Sequence, residues 1–422
     1  MMKLSNLVIG GTMLFGLTAA AKPTMTITFD NPQAVYKCGE TAKIAVKLDP
    51  GDMELPPDAK IEFCRYDASG LSRATMPVSV ANGKFSEEIK SENPAFVKVS
   101  AKLVGAPEEC SAWAVCAFDP ERIDINQAPP PADFMEFWKK EITKAMEIPM
   151  DVKLEREERL CDALADDYKI SFANVDGTRM YGYISIPKGK GPFPACLTIP
   201  GAGPGNTAIP AEYPRGKVIA MTLNVHAHEV EPATAQARYD ELNKAGIYTH
   251  KGIENPETFY FHRTILGLCR GVKYLTELPD WDHKHLLVWG SSQGGAMTLA
   301  TTALNSDVVT AAAVNVPAMC GLHACNNGAS APGWPVDSKL ADKYADTLKY
   351  YDGVNFAHFI KCPMIFGVGF VDTTCPPWTV FAAYNQIKTP KMIWVSPWMG
   401  HDLDPAYTKY RINWIAEQLG VK

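Results

Sequence analysis

The sequence predicts two folded units: an all-β sandwich, and then an α/β unit built on a mainly parallel sheet with helices on both faces. The chain has 422 residues, 46% of them hydrophobic, which is more than one ordinary domain needs for a single core. Residues 24–118 are rich in short segments that alternate polar and apolar side chains, whereas later residues alternate strand-like and helix-like runs. We expect a sandwich over 22–120, a linker over 121–131 and the α/β unit over 132–422.

Period-two alternation in the first unit predicts half-buried antiparallel strands. The clearest alternating segments are 25–29, 42–48, 60–63 and 96–101. Turn signals such as Asn82-Gly83 separate them, and about 100 residues of such strands most resemble an immunoglobulin-like β-sandwich. Because this unit contains no cluster of titratable side chains, we expect it to have an accessory, packing or glycan-contacting role.

The boundary is predicted at the proline run 128–131, where no regular element can continue. A helix with Phe134, Trp138 and Ile142 on one face should follow, and then a hairpin that turns at Asp176-Gly177. Apolar runs of buried-strand length predict the parallel sheet; they are 194–199, 217–223, 285–289, 363–369 and 392–395. Ile265, Leu268, Val272 and Leu275 recur at helical spacing between two of these runs.

Composition and the N-terminus restrict the possible partners. A net charge of −6 without any basic stripe argues against a nucleic-acid partner. Residues 1–21 combine a lysine, a short apolar stretch and a small-residue cleavage site, which predicts a signal peptide and an exported, periplasmic or secreted protein. No later stretch reaches the roughly 18 apolar residues of a membrane span. Eleven cysteines leave at least one thiol unpaired within the chain, and Cys196, Cys269 and Cys362 are expected in the core.

The segment Gly290-Ser291-Ser292-Gln293-Gly294 carries the strongest chemical signal. It lies between a predicted strand and a predicted helix, which is the setting of the nucleophile elbow of α/β-hydrolases. Glycines on both sides permit a sharp turn that exposes the central serine. We therefore predict an α/β-hydrolase fold with Ser292 as the nucleophile, and we interpret Ser291 as a turn residue.

A serine nucleophile needs a base, and the base needs an acid that orients it. Asp372 follows the predicted strand 363–369, and His401 follows the last predicted strand, so both should reach the same sheet edge as Ser292. Their order matches the one expected for this fold. Asp402 and Asp404 are rival acids that rank below Asp372, because both lie beside the histidine on its own loop.

A tetrahedral intermediate also needs backbone donors for its oxyanion. The amide of Gln293 is the first candidate, and that of Ala202, in the glycine-rich loop 201–205, is the second. This loop lacks the spacing of a nucleotide-binding motif. His226-Ala227-His228-Glu229 suggests a metal site, but no further cluster completes it, so we predict a polar loop near the site, no metal and no cofactor.

These segments together resemble carbohydrate esterase family 7, the acetyl xylan esterases and cephalosporin C deacetylases. The resemblance runs from Pro131 to the C-terminus. It rests on the motifs Pro131-Ala132-Asp133-Phe134, Phe137-Trp138, Tyr260-Phe261-His262-Arg263, Leu278-Pro279-Asp280-Trp281-Asp282, Gly290-Ser291-Ser292-Gln293-Gly294-Gly295, Val316-Pro317-Ala318-Met319-Cys320, Asp372-Thr373-Thr374-Cys375-Pro376-Pro377, Val380-Phe381-Ala382-Ala383-Tyr384-Asn385 and Gly400-His401.

The resemblance implies a serine esterase that removes acetyl groups from acetylated oligo- or polysaccharides such as xylan, without a metal. It also implies the triad Ser292, Asp372 and His401, with the amides of Ala202 and Gln293 as oxyanion donors. The chain departs from the family at His226-Ala227-His228, where Arg-Gly-Gln is usual, and at Ala202, where tyrosine is usual. Family members commonly form hexamers, and because the sandwich is an addition to the compact members, we expect no more than a possible homo-oligomer.

Two other functions fit parts of the sequence. A prolyl-oligopeptidase-like serine peptidase has a similar elbow, although propeller repeats are missing here. A non-catalytic glycan-binding protein on a hydrolase scaffold is the second. Peptide p-nitroanilides and acetylated sugars as substrates distinguish the first from an esterase, and glycan retention without acetate release would indicate the second.

Overall fold

The structure is a computed structural model of the chain. It describes residues 21–56, 58–67, 70–77, 84–106, 110–123, 129–204, 208–209, 213–322, 334–402 and 404–421. The predicted signal peptide lies outside the described residues apart from its last position, as do residues 124–128 of the predicted linker.

The first eight strands form two largely antiparallel sheets. Their bounds are β1 Thr24–Phe29, β2 Val35–Tyr36, β3 Thr41–Asp49, β4 Lys60–Asp67, β5 Gly70–Pro77, β6 Lys84–Lys90, β7 Ala95–Val104 and β8 Ser111–Phe118. One sheet has the order β1-β3-β6 and the other β2-β8-β7-β4-β5, in which β2 pairs parallel to β8. Alternate residues of β3 are buried, so the period-two pattern forms half-buried strands as predicted. The immunoglobulin-like assignment stays a prediction.

The following strands form one nine-stranded sheet. Their bounds are β9 Lys153–Arg156, β10 Ala165–Ala173, β11 Arg179–Pro187, β12 Phe193–Ile199, β13 Ile219–Leu223, β14 Trp281–Ser291, β15 Ala311–Asn315, β16 Met364–Gly369 and β17 Lys391–Ser396. The order is β17-β16-β15-β14-β12-β13-β11-β10-β9. The six strands from β17 to β13 are mutually parallel, and the last three are antiparallel. Every residue of β12 and β16 is buried, as expected for a sheet covered on both faces.

Helices cover this sheet. The α-helices are α1 Phe134–Glu147, α2 Pro232–Asn243, α3 Tyr260–Thr276, α4 Gln293–Leu304, α5 Ser338–Lys343, α6 Ala345–Leu348, α7 Gly353–Ala357, α8 Pro377–Gln386 and α9 Pro405–Gln418, and short 3₁₀ turns span Pro120–Arg122, Val175–Gly177 and Tyr248–His250. The predicted apolar stripe of α1 buries Phe134 and Trp138 completely. None of the described helices is long and apolar enough to cross a membrane.

The parallel strands bring their carboxyl ends to one edge of the sheet. β12, β14 and β16 all point in this direction, so the segments that follow them meet there. These segments are the glycine-rich loop, the elbow and the loop that carries Asp372. The fold therefore gathers the predicted site residues at a single edge.

The N-terminal sheets pack against that same edge. Phe29 of β1 stacks on Trp398, in the loop before His401, with ring centroids 5.5 Å apart. Phe96 of β7 lies edge-on to Phe370, at 5.8 Å, and also contacts Phe381. The sandwich thus contacts both loops that carry the predicted acid and base.

The sequence predicts three cysteines in the core. Cys196, Cys269 and Cys362 are buried in the core, as predicted. Cys38, Cys110 and Cys116 carry free thiols.

Candidate active site

Ser292 occupies a sharp turn between β14 and α4. Its backbone has φ 58° and ψ −122°, a conformation that residues other than glycine rarely adopt. Its N–H donates to Asn315 O at 2.9 Å, and its carbonyl accepts from the Ala318 N–H at 3.0 Å. These hydrogen bonds hold the strained turn in the geometry of a nucleophile elbow.

The two outer glycines of the motif are required by close backbone approach. A Cβ atom at Gly290 would lie 2.5 Å from the carbonyl oxygen of Gly294. A Cβ atom at Gly294 would lie 2.1 Å from the carbonyl oxygen of Ile199, at the end of β12. Side chains at these positions would separate the elbow from the neighbouring strand, so the motif encodes packing as well as the turn.

Asp372 and His401 form a hydrogen-bonded pair at the ends of neighbouring strands. His401 Nδ1 lies 2.8 Å from Asp372 Oδ2, while Asp372 Oδ1 accepts from the N–H groups of Thr374 at 2.8 Å and Cys375 at 2.9 Å. The carboxylate is 3% exposed, so these bonds form away from water. Gly369 lets the two loops approach, since a Cβ there would lie 2.1 Å from the carbonyl oxygen of Gly400.

The hydrogen bond to Asp372 sets the protonation of His401. A carboxylate only accepts, so Nδ1 carries the proton in the neutral ring and Nε2 retains its lone pair for a proton from a substrate or nucleophile. The same bond raises the pKa of His401 above its ordinary value of 6.5, while partial burial opposes the shift. The imidazole is therefore held in the tautomer that a general base requires.

The rival acids take other positions. Asp404 caps α9 by accepting from the Tyr407 N–H at 2.7 Å, and its other oxygen accepts from Ser396 Oγ at 2.5 Å. Asp402 is exposed and acts on His401 only through its charge, as a minor contribution to the raised pKa. Only Asp372, of these three carboxylates, contacts the imidazole.

Cys375 joins this group, although its place three residues after Asp372 is the only sequence feature that points to it. Its thiol is fully buried, and its pKa lies well above the ordinary value, first because of burial and then because of the charge of Asp372. The neighbouring Ser292 side chain partly opposes the rise of this pKa. Cys375 therefore links the elbow to the Asp372–His401 pair.

The same cluster has the composition of a metal site. Cys375 Sγ, a carboxylate oxygen of Asp372 and a ring nitrogen of His401 all lie within 4.8 Å of one another. Binding an ion would require the high-pKa thiol to lose its proton and would compete with the Nδ1–Oδ2 hydrogen bond. The arrangement favours an acid–base pair over a set of ligands.

The glycine-rich loop lies directly against the elbow. A Cβ atom at Gly201 would lie 3.4 Å from Ser291 O and 3.7 Å from Ser292 Cβ, so Ala202, the next residue, is beside the nucleophile. Gln293 begins α4, and an α-helix leaves its first N–H groups for external acceptors. Both predicted oxyanion donors thus flank Ser292.

The predicted polar loop at 226–229 follows β13, and its first residue, His226, is buried within the protein. The side chain is 1% exposed; Nε2 lies 2.8 Å from Gly203 O, and Nδ1 lies 2.7 Å from the Tyr260 hydroxyl. Both ring nitrogens are therefore engaged within the protein, which leaves neither for a metal shared with His228. The sequence feature that could have indicated a buried His226 is its place shortly after the buried run that forms β13.

The chain is similar to known proteins over most of its length. The family model described as acetyl xylan esterase (AXE1) matches residues 125–327 and 337–418. Acetyl esterase Axe7A of Xylanibacter ruminicola is 27% identical over 401 residues, which span 91% of this chain and 88% of that protein.

Two solved structures have similar folds. Acetyl xylan esterase 1 from Thermoanaerobacterium sp. superposes with a TM-score of 0.59 at 22% identity, over 69% of this chain and 95% of its own. The acetyl xylan esterase from Paenibacillus sp. R4 gives a TM-score of 0.59 at 23% identity, over 69% and 98%. At these identities the structures show the α/β-hydrolase fold, while the family match covers well over half of the chain. The chain therefore belongs to the acetyl xylan esterase family, and it is a carboxylic ester hydrolase.

Proposed function

We propose that the enzyme removes acetyl groups from xylan or xylo-oligosaccharides through an acetyl-enzyme formed on Ser292. The observation that carries the proposal is the strained Ser292 turn, which lies beside the partly buried cluster of Cys375, Asp372 and His401. Family membership supports the acetylated carbohydrate as substrate. The Asp372 carboxylate orients His401.

Acylation begins when the Ser292 oxygen attacks the ester carbonyl carbon and its proton passes to His401 Nε2. The carbonyl oxygen becomes an oxyanion, which accepts hydrogen bonds from the amides of Ala202 and Gln293. The carbon–oxygen bond to the sugar then breaks as His401 returns the proton to the departing sugar hydroxyl. The acetyl group stays on Ser292.

Deacylation repeats these steps with water. His401 Nε2 takes a proton from water, whose oxygen attacks the acetyl carbon, and the second tetrahedral intermediate uses the same two amides. Collapse breaks the bond to the Ser292 oxygen, which recovers its proton from His401. Acetate leaves, and the enzyme returns to its starting state.

Acetate release from acetylated xylo-oligosaccharides by wild type, Ser292→Ala and Ser291→Ala tests the proposal. Ser292→Ala should lose at least about 10⁴-fold in kcat, because no other group takes over the attack. Ser291→Ala is the matched control, since it keeps the backbone of the elbow, and it should stay within about 3-fold of wild type. Comparable release by wild type and Ser292→Ala would remove Ser292 from the mechanism.

Peptide substrates and glycan binding distinguish the alternative functions from an esterase. Hydrolysis of peptide p-nitroanilides at a rate above that of acetylated sugars would favour a peptidase. Retention of the glycan without any acetate release would favour a binding protein on a hydrolase scaffold. Family membership leads us to expect neither result.

We also propose that residues 1–21 direct export, which would place the enzyme where polysaccharides are met. A homo-oligomer is compatible with this proposal. Cleavage of the precursor near Lys22, and the mass of the mature protein in solution, test these two points.

A further inference from the structure

A largely buried group of aromatic side chains lies next to the proposed site but takes no part in the triad. It consists of His226, Tyr248 and Tyr260. Tyr248 is 1% exposed and presents its ring edge-on to His226, with centroids 4.8 Å apart. Tyr260 packs on Tyr248 at 5.0 Å. We call these three residues the aromatic cluster.

One end of the cluster holds the glycine-rich loop. The carbonyl oxygen of Gly203 only accepts, so the His226 Nε2 that lies 2.8 Å away must donate to it. Burial lowers the pKa of His226 to about 4, and the neutral ring has a single proton. Nδ1 therefore accepts from the Tyr260 hydroxyl at 2.7 Å, and Tyr260 thereby fixes the tautomer that binds Gly203.

The other end of the cluster holds the elbow. The Tyr248 hydroxyl donates to Oε1 of Gln293, whose side chain is fully buried. Gln293 directly follows Ser292, and its backbone amide is one of the two proposed oxyanion donors. The cluster thus connects the two segments that supply those donors.

The loop needs such support. Gly203 has φ 136°, a conformation that other residues rarely adopt, and Ala202 itself is exposed. Gly201 lies beside Ser291 on one side, and a hydrogen bond with His226 holds Gly203 on the other. The Ala202 amide lies between these two positions.

We propose that His226 is a positioning residue for the oxyanion hole, and that its Nε2–H bond to the Gly203 carbonyl orients the Ala202 amide toward the developing oxyanion. The inference rests on the proposed function, because it assigns a task only if Ser292 forms a tetrahedral intermediate. Where family 7 usually has arginine, this chain supplies one neutral donor aimed at the loop.

Three variants test the role. His226→Phe keeps an aromatic ring but removes the donor, whereas His226→Gln offers an amide donor for Gly203 and an oxygen that accepts from Tyr260. His228→Phe is the matched control, since Nδ1 of His228 lies 3.3 Å from Glu229 O rather than next to the glycine-rich loop. We expect His226→Phe to lower kcat about 10- to 100-fold with KM within about 3-fold, less than the loss of an oxyanion donor itself. His226→Gln should recover to within about 3-fold of wild type, and His228→Phe should stay there.

Inhibition by a trifluoromethyl ketone separates positioning from general structural damage. This ketone forms a tetrahedral oxyanion on a serine nucleophile, so its Ki should rise in His226→Phe by about the factor that kcat/KM falls. If His226→Phe does not fold, Tyr260→Phe replaces it, because that change frees Nδ1 and should lower kcat about 3- to 10-fold without changing KM.

Certain results would overturn the inference: kcat within 3-fold in the folded variant that lacks the hydrogen bond, a loss confined to KM, or a His226→Gln enzyme as impaired as His226→Phe. Retained activity in Ser292→Ala is a separate result, which would defeat the proposed function instead.

Discussion

Replacing Asp372 with asparagine tests how the acid orients His401. Two backbone N–H groups, of Thr374 and Cys375, donate to Oδ1 at 2.8 and 2.9 Å, so the asparagine carbonyl oxygen must occupy that position. The NH₂ group then faces His401 Nδ1 and donates to it. Nδ1 becomes the acceptor, the ring proton moves to Nε2, and the base loses the lone pair that takes the proton of Ser292.

The size of the effect follows from these contacts. Turning the asparagine over would place its NH₂ group against the N–H groups of Thr374 and Cys375 and leave both without an acceptor, at roughly 1–3 kcal/mol each. About 4 kcal/mol for the pair, at about 1.4 kcal/mol per factor of ten, leaves the productive orientation near one molecule in 10³. We therefore expect Asp372→Asn to lower kcat/KM about 10³-fold, a smaller loss than the roughly 10⁴-fold drop in kcat for the same change in a serine protease.

Initial rates with p-nitrophenyl acetate and with an acetylated xylo-oligosaccharide measure this loss, and circular dichroism confirms that the variant is folded. Asp402→Asn is the control, because its carboxylate is exposed and touches His401 only through its charge; it should stay within about 3-fold. A folded Asp372→Asn enzyme with more than a tenth of wild-type kcat/KM, or a large loss in Asp402→Asn, would refute the reasoning.

One pH measurement and two substitutions test the base, the elbow and the contact between the N-terminal sheets and the site. Because the pKa of His401 is raised and its neutral form is the base, kcat/KM should increase with pH through a pKa above 6.5; a limb below 6.5 in the measured pH profile would contradict this. Gly294→Ala should lower the free energy of unfolding in urea by about 1–3 kcal/mol, since its Cβ would lie 2.1 Å from a backbone oxygen. Gly189→Ala is the control and should leave the stability unchanged, because its Cβ would lie 3.6 Å from the nearest atom. Equal stabilities of the two variants would count against the close packing at Gly294. Phe96→Ala should cost about 2 kcal/mol and also lower kcat, because its ring packs on Phe370 two residues before the acid; a stability loss with unchanged kcat would show that the sandwich does not support the site.

Local chemistry explains what the sequence predicted well. The glycines around Ser292 and the placement of Asp372 and His401 after separate strands are short-range patterns with a steric or chemical cause, so they indicate both the elbow and the pair. Long apolar runs such as 194–199 predict buried strands because both faces of the sheet are covered.

Other features depend on contacts between distant segments. The strand β15, Ala311–Asn315, was not anticipated, since three alanines have little preference for a strand and only the pairing with β14 and β16 decides. In the sequence His226 resembles an ordinary loop residue, because its partners Tyr260 and Gly203 lie elsewhere in the chain. The contacts of Phe29 with Trp398 join residues more than 300 positions apart, and no local pattern encodes them.

Covalent labelling tests the central claim most directly. Paraoxon phosphorylates an activated serine, and the product hydrolyses slowly enough for peptide mass spectrometry to locate it. The account predicts that activity is lost in proportion to labelling and that the label lies on Ser292. Full inactivation with the label elsewhere, or a fully labelled Ser292 in an enzyme that still releases acetate, would contradict it.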